Sequence, residues 1–171
     1  MIPSLALIIA AASCGDIPAR PARSTFPALA RPAIVHADTQ PSRSAQHREA
    51  DRLAFTGKFN KARVEYLAVI AVMDSSASFP GEVLWSLATM EYGRNRELSA
   101  AAILDRLAEA AVRYGRPEWQ ARALLEAGIL YQNHGRTDLS VDRVRRLKPL
   151  LSSPAISASE RAQMAGRVAM K

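Results

Sequence analysis

A single cysteine, Cys14, stands in the 171 residues, so no disulfide can form within the chain, and a free thiol in an exported protein calls for some use of it. Long hydrophobic runs are lacking too. The longest, Ile2 to Ala12, is about a dozen residues, too short to cross a bilayer as a permanent helix. Histidines are few, and His36, His47 and His134 are far apart with no His-Glu-x-x-His spacing, so no metal is expected. Gly-x-Ser-x-Gly, Gly-x-Gly-x-x-Gly and phosphate-loop patterns do not occur, and no two carboxylates are placed for acid and base work. An enzyme is therefore not expected, nor a cofactor. Present instead are 49% hydrophobic residues, rich in Ala and Leu, enough for one modest domain with a real core. Arg supplies most of the 23 basic residues against 16 acidic ones, and the net charge of +7 favours acidic partners or anionic surfaces.

The apolar run has the length of a secretory signal core, and it ends in Ala11-Ala12-Ser13-Cys14-Gly15. Small residues before a lone cysteine resemble a bacterial lipoprotein signal. That resemblance implies removal of residues 1–13 as a signal peptide and lipidation of Cys14, whose thiolate takes up the diacylglyceryl group. Ala11 stands where Leu is commonest, and no Lys or Arg precedes the run. Ala10-Ala11-Ala12 also suits an ordinary signal peptidase. Acyl chains contribute about 0.8 kcal/mol per buried methylene, so several of them hold a protein to a membrane without a spanning helix.

Residues 14–44 change composition to Pro, Ala, Arg and Ser, with Pro18, Pro21, Pro27, Pro32 and Pro41 spread through them. Prolines at that spacing remove backbone donors and restrict their neighbours, so no helical period survives. The segment reads as a flexible linker, reaching roughly 30 Å as a coil and about 90 Å if extended.

From residue 45 to 171 the chain repeats itself at intervals of 39. Leu53, Tyr92 and Tyr131 form one set, Ala62, Ala101 and Ser140 a second, and Val69, Ala108 and Leu147 a third. A period in this range marks stacked supersecondary units that bury their apolar faces only against one another. The spacing predicts three antiparallel helix pairs, starting near Ser42 or Ser44 as a cap. Turns are expected at Thr56-Gly57, Phe79-Pro80-Gly81, Gly115-Arg116-Pro117 and Gly135-Arg136-Thr137. Pro117 suits a first helical turn, and Gly57 and Gly135 suit helix ends. Ser157 with Glu160 predicts a capping box that opens a C-terminal helix at Ala158.

The stretch from Gly57 through Phe59, Ala62, Tyr66 and Val69 resembles the turn and second helix of a tetratricopeptide repeat (TPR). Ala127-Gly128, Tyr131, Gly135, Ser140, Val144 and Leu147 match the third unit. In the middle unit, aligned at 39, Arg96 stands where the turn glycine belongs and Asp105 where the buried aromatic belongs; either that unit is divergent or the register slips between Gly93 and Ser99. The resemblance covers about Ala45 to Ser152 and implies an all-α fold, a right-handed solenoid of three hairpins with a C-terminal capping helix.

It also implies a concave groove lined by the first helix of each pair, where a protein or peptide partner binds. Carried onto this chain, the groove residues are His47, Asp51 and Phe55, then Ser86, Met90 and Arg94, then Arg122, Leu125, Ile129, Gln132 and Asn133. Met90, Leu125 and Ile129 suit packing between repeats equally well. The run Arg143, Arg145, Arg146 and Lys148 lies on the arc opposite Val141, Val144, Leu147 and Leu151 and reads as a solvated face, so nucleic acid is not expected. These readings point to a non-enzymatic adaptor of a bacterial envelope, lipid-anchored on the periplasmic side. The alternative is a soluble regulatory or sensor domain binding a small peptide.

Overall fold

The computed structural model describes residues 44–169, so the signal, Cys14 and nearly all of the linker lie outside the described residues. Those described are seven α-helices with no strand among them: α1 Ala45–Phe55, α2 Phe59–Ser75, α3 Gly81–Gly93, α4 Glu97–Arg113, α5 Pro117–Asn133, α6 Thr137–Leu150 and α7 Ala158–Ala169.

Local chemistry sets most of the boundaries. The Ser44 hydroxyl accepts from the His47 amide at 3.1 Å, the N-cap expected of it. Pro117 opens α5, where its missing N–H has no partner to lose. Ser157 and Glu160 form a reciprocal box: the Glu160 amide donates to the Ser157 hydroxyl at 3.3 Å, and the Ser157 amide donates to the Glu160 carboxylate at 3.2 Å.

The three turns 56–58, 94–96 and 134–136 share one design. In each, a residue with positive φ follows the helix, and two amides bond back into its last turn. Gly57 has φ 75°, Asn95 φ 58° and Gly135 φ 69°. The amide after each one reaches Leu53, Glu91 and Tyr131 carbonyls at 2.9, 3.0 and 2.9 Å. The middle turn is thus intact, and Asn95 rather than Arg96 corresponds to the glycines. The alignment at 39 hid this, because the positive-φ residues are separated by 38 and then 40. Asn tolerates the left-handed region better than any other residue with a Cβ.

Each helix packs on its neighbour in the chain, from α1 with α2 through α5 with α6; α1 also touches α3, and α7 touches α5. Short turns between packed neighbours make them antiparallel. The core is built of small and large residues together. Ala62, Ala88, Ala101, Ala108, Ala121 and Ala127 are fully buried beside Tyr66, Leu84, Leu104, Leu124 and Leu130. A Cβ added to Gly128 would lie 3.4 Å from the Arg143 Cβ, so α5 and α6 approach closely there. Phe79 packs on Trp119 and Tyr114 at 5.7 Å each, and Trp119 packs edge-on against Trp85 at 6.2 Å, joining the 76–80 turn and α3 to α5.

One expectation is corrected. Val141, read as part of the apolar face of α6, is 51% exposed, whereas Leu147 is buried. Helix α7 lies against α5, so it covers one helix of the final pair.

Candidate interaction site

The first helices, α1, α3 and α5, carry the groove residues expected from the sequence except Arg94, which follows α3 in the 94–96 turn, and the structure divides those residues into two groups. His47, Met90, Leu125 and Ile129 are buried, so their side chains belong to helix packing rather than to a surface. For Met90, Leu125 and Ile129 this is the packing role their apolar character allows. Asp51, Ser86, Arg94 and Arg122 are partly exposed, and Phe55, Gln132 and Asn133 are open to solvent.

His47 binds the first two hairpins together. Its Nε2 is hydrogen-bonded to the Ser86 hydroxyl at 3.3 Å, a partner 39 residues away, and lies 3.7 Å from the Asp51 carboxylate. Asp51 in turn accepts the Tyr66 hydroxyl at 2.8 Å, and the His47 ring meets the Tyr66 ring edge-on at 6.0 Å. A hydrogen bond between matching positions of successive hairpins is unspecific in chemistry but fixes their register.

Asp105, which the sequence offers as a misfit, performs the same service one hairpin on. It accepts the Tyr131 hydroxyl at 2.8 Å and two bonds from the Arg143 guanidinium at 2.8 and 2.7 Å, joining α4, α5 and α6. Burial, then the bond to Asp105, pushes the Tyr131 hydroxyl up to about 12. The bond to Asp105 likewise raises the Arg143 guanidinium above its ordinary value.

At the third hairpin the partner is α7. Arg122 pairs with Glu160, and Glu126, only 7% exposed, receives Arg167 at 3.0 Å. Burial lowers the Arg122 guanidinium below its ordinary value, with the Glu118 carboxylate opposing. Helix α7 therefore occupies the side of α5 from which Arg122 and Glu126 project. What stays open on the first helices is α1, α3 and the C-terminal end of α5.

Sequence reasoning missed a second cluster at the turns. The buried Glu91 carboxylate draws three guanidinium groups: Arg63 at 2.8 Å, Arg96 at 3.7 Å and Arg94 at 3.8 Å. Arg94 also lies over the Phe59 ring at 4.8 Å, which ties the second turn to the first. His134 bonds Glu97 at 2.8 Å and ties the third turn to the second. Lys58, Arg96 and Arg136 each follow the positive-φ residue of their turn and cap the next helix without a side-chain cap bond. The signal was present as Gly57-Lys58, Asn95-Arg96 and Gly135-Arg136, but aligning Arg96 with the glycines concealed it. Beside the first turn, α1 and α2 enclose an open depression of about 570 Å³ bordered by Leu53 and Val64 and by charges of both signs, Arg52, Lys58 and Lys61 with Glu49 and Glu65. None of the described helices is long and apolar enough to cross a membrane. Compared with protein-family models, curated proteins and solved structures, the chain matches none of them.

Proposed function

We propose that the chain is a non-enzymatic scaffold: a right-handed solenoid of three TPR-like hairpins capped by α7, binding a protein or peptide partner on the open part of α1, α3 and α5. The observation that carries this reading is a set of side-chain links between one unit and the next, at separations close to the repeat. His47 to Ser86 spans 39 residues, Asp105 to Arg143 spans 38, and Arg122 to Glu160 spans 38. Units joined in series make an extended surface rather than a central pocket.

An acidic partner suits the polar chemistry of that surface. The net charge of +7 and the partly exposed Arg94, next to the open part of α1 and α3, suit a partner carboxylate. In this proposal export through the N-terminal signal and a lipid on Cys14 hold the scaffold at the periplasmic face of a bacterial envelope membrane, with residues 15–44 as the tether.

Two measurements test the proposal. Crosslinking and capture with the full chain is expected to recover a partner that Arg94→Gln combined with Gln132→Ala loses; an unchanged partner set removes the surface. Cys14→Ser is expected to move the protein from the detergent-soluble to the soluble fraction, and wild-type protein already in the soluble fraction removes the anchor.

A further inference from the structure

The three turns 56–58, 94–96 and 134–136 lie at the same end of the antiparallel helices, and side-chain contacts make them continuous. Arg94 reaches Phe59 from the second turn to the first, and His134 reaches Glu97 from the third to the second. Along this edge stand Lys58, Lys61, Arg94, Arg96 and Arg136. The carboxylates among them are Glu97 and Asp138, with Glu91 buried behind, and Glu49 and Glu65 border the depression beside Lys58 and Lys61.

Three of these cations occupy helix N-caps, where positive charge opposes the helix dipole and where Ser, Asp or Asn would serve the helix better. Lys58, Lys61 and Arg136 make no ion pair among the described residues, and Arg96 is 53% exposed. The equivalent turn at the other end of the helices differs. Its Arg116 lies 4.0 Å from Glu118 and against the Phe79 ring.

Exposed apolar side chains share the edge with the cations. Phe55, at the end of α1, is 93% exposed, and Leu98, in the first turn of α4, is 42% exposed. A bare aromatic beside Lys58, Lys61 and Arg136, none of them in a close ion pair among the described residues, has the composition of a surface that enters the headgroup layer, the ring among acyl chains and the charges among phosphates.

We infer that the edge carrying Phe55, Lys58, Lys61, Arg96, Leu98 and Arg136 docks on an anionic lipid surface and sets the orientation of the domain there. This goes beyond the scaffold reading, which concerns a different face, and it does not require the acyl group. Each basic residue near an anionic leaflet contributes roughly a fivefold factor to binding. Docking by this edge stands the helix axes away from the membrane, with the first-helix face of α1 and α3 turned sideways and open.

The test is co-sedimentation of the full chain, carrying Cys14→Ser to exclude acylation, with vesicles of phosphatidylcholine alone or mixed with phosphatidylglycerol. Arg20, Arg23, Arg31 and Arg43 of the linker are common to every variant, so the comparison among variants reads the edge. Tighter binding to the anionic vesicles that weakens as salt rises is expected. Lys58→Glu with Arg136→Glu is expected to lower anionic-vesicle binding by about tenfold or more, since two charges change sign. Both helices gain a carboxylate at their N-termini, so the variant folds, and circular dichroism checks this. Phe55→Ser is expected to weaken binding several-fold at either salt level. Arg145→Glu with Lys148→Glu makes the same charge change on α6 away from the edge and is expected to matter less than about twofold.

Equal losses from the two charge-reversed pairs overturn the inference, as does binding without preference for the anionic vesicles. Release of the protein from those vesicles by poly-glutamate at equal charge also overturns it and assigns the edge to an acidic protein. Partner capture by the Lys58→Glu/Arg136→Glu variant reports separately on the scaffold reading and is expected to be unchanged.

Discussion

Tyr131 concentrates what single residues do in this chain. It is 8% exposed, its ring lies under Arg143 and its hydroxyl donates to Asp105. Truncation to Ala is expected to cost about 3–5 kcal/mol, as a large core side chain is lost along with its hydrogen bond. Tyr131→Phe keeps the ring and is expected to cost about 1 kcal/mol, because Arg143 still satisfies Asp105. Denaturant midpoints of the two variants check both values. The hydroxyl also gives the protein an alkaline limit. Its value in the folded chain is raised to about 12, so the neutral form is favoured by folding. The stabilisation is complete below the unfolded value near 10 and is lost as pH rises from there through about 12. Thermal midpoints are expected to fall across that window, and to fall less in Tyr131→Phe.

Helix α7 shows what an element contributes beyond its own length. Glu126 is nearly enclosed, and Arg167 is the cation that answers it. Ending the chain after Ser157 leaves that carboxylate without its partner and uncovers Arg122. A loss of about 3 kcal/mol is expected, and Glu126→Gln in the shortened chain is expected to return part of it, which chemical denaturation would show. At this scale the sequence was readable wherever chemistry is local. Ser44, Pro117 and the Ser157/Glu160 box act within four residues, and the helix limits follow from them. The middle turn was not readable, because units separated by 38 and 40 residues average to 39 and place Arg96, not Asn95, over the glycines. The face covered by α7 was hidden for another reason: amphipathic spacing says that a helix has a buried side, not which neighbour buries it. For the same reason the sequence placed Met90, Leu125 and Ile129 on the right helices without fixing that they are enclosed.

At the scale of the whole described molecule, packing follows the order of sequence from α1 to α6, and α7 joins at α5. Among the described helices, α4 and α5 pack most extensively on their neighbours, while α7 touches α5, and α1 packs on α2 and touches α3. Native-state hydrogen exchange is expected to be slowest in α4 and α5 and fastest in α1 and α7, with the end helices opening at lower free energy than the centre. Uniform protection along all seven helices would contradict this serial arrangement. The arrangement also decides how the chain answers force. The main contacts among the described helices join elements adjacent or one removed in sequence, so in the proposed solenoid tension applied between α1 and α7 would load these contacts in turn rather than all at once. The helices would come away one pair after another, each yielding a short length of slack, and the same pairs could re-form in turn when the load is released.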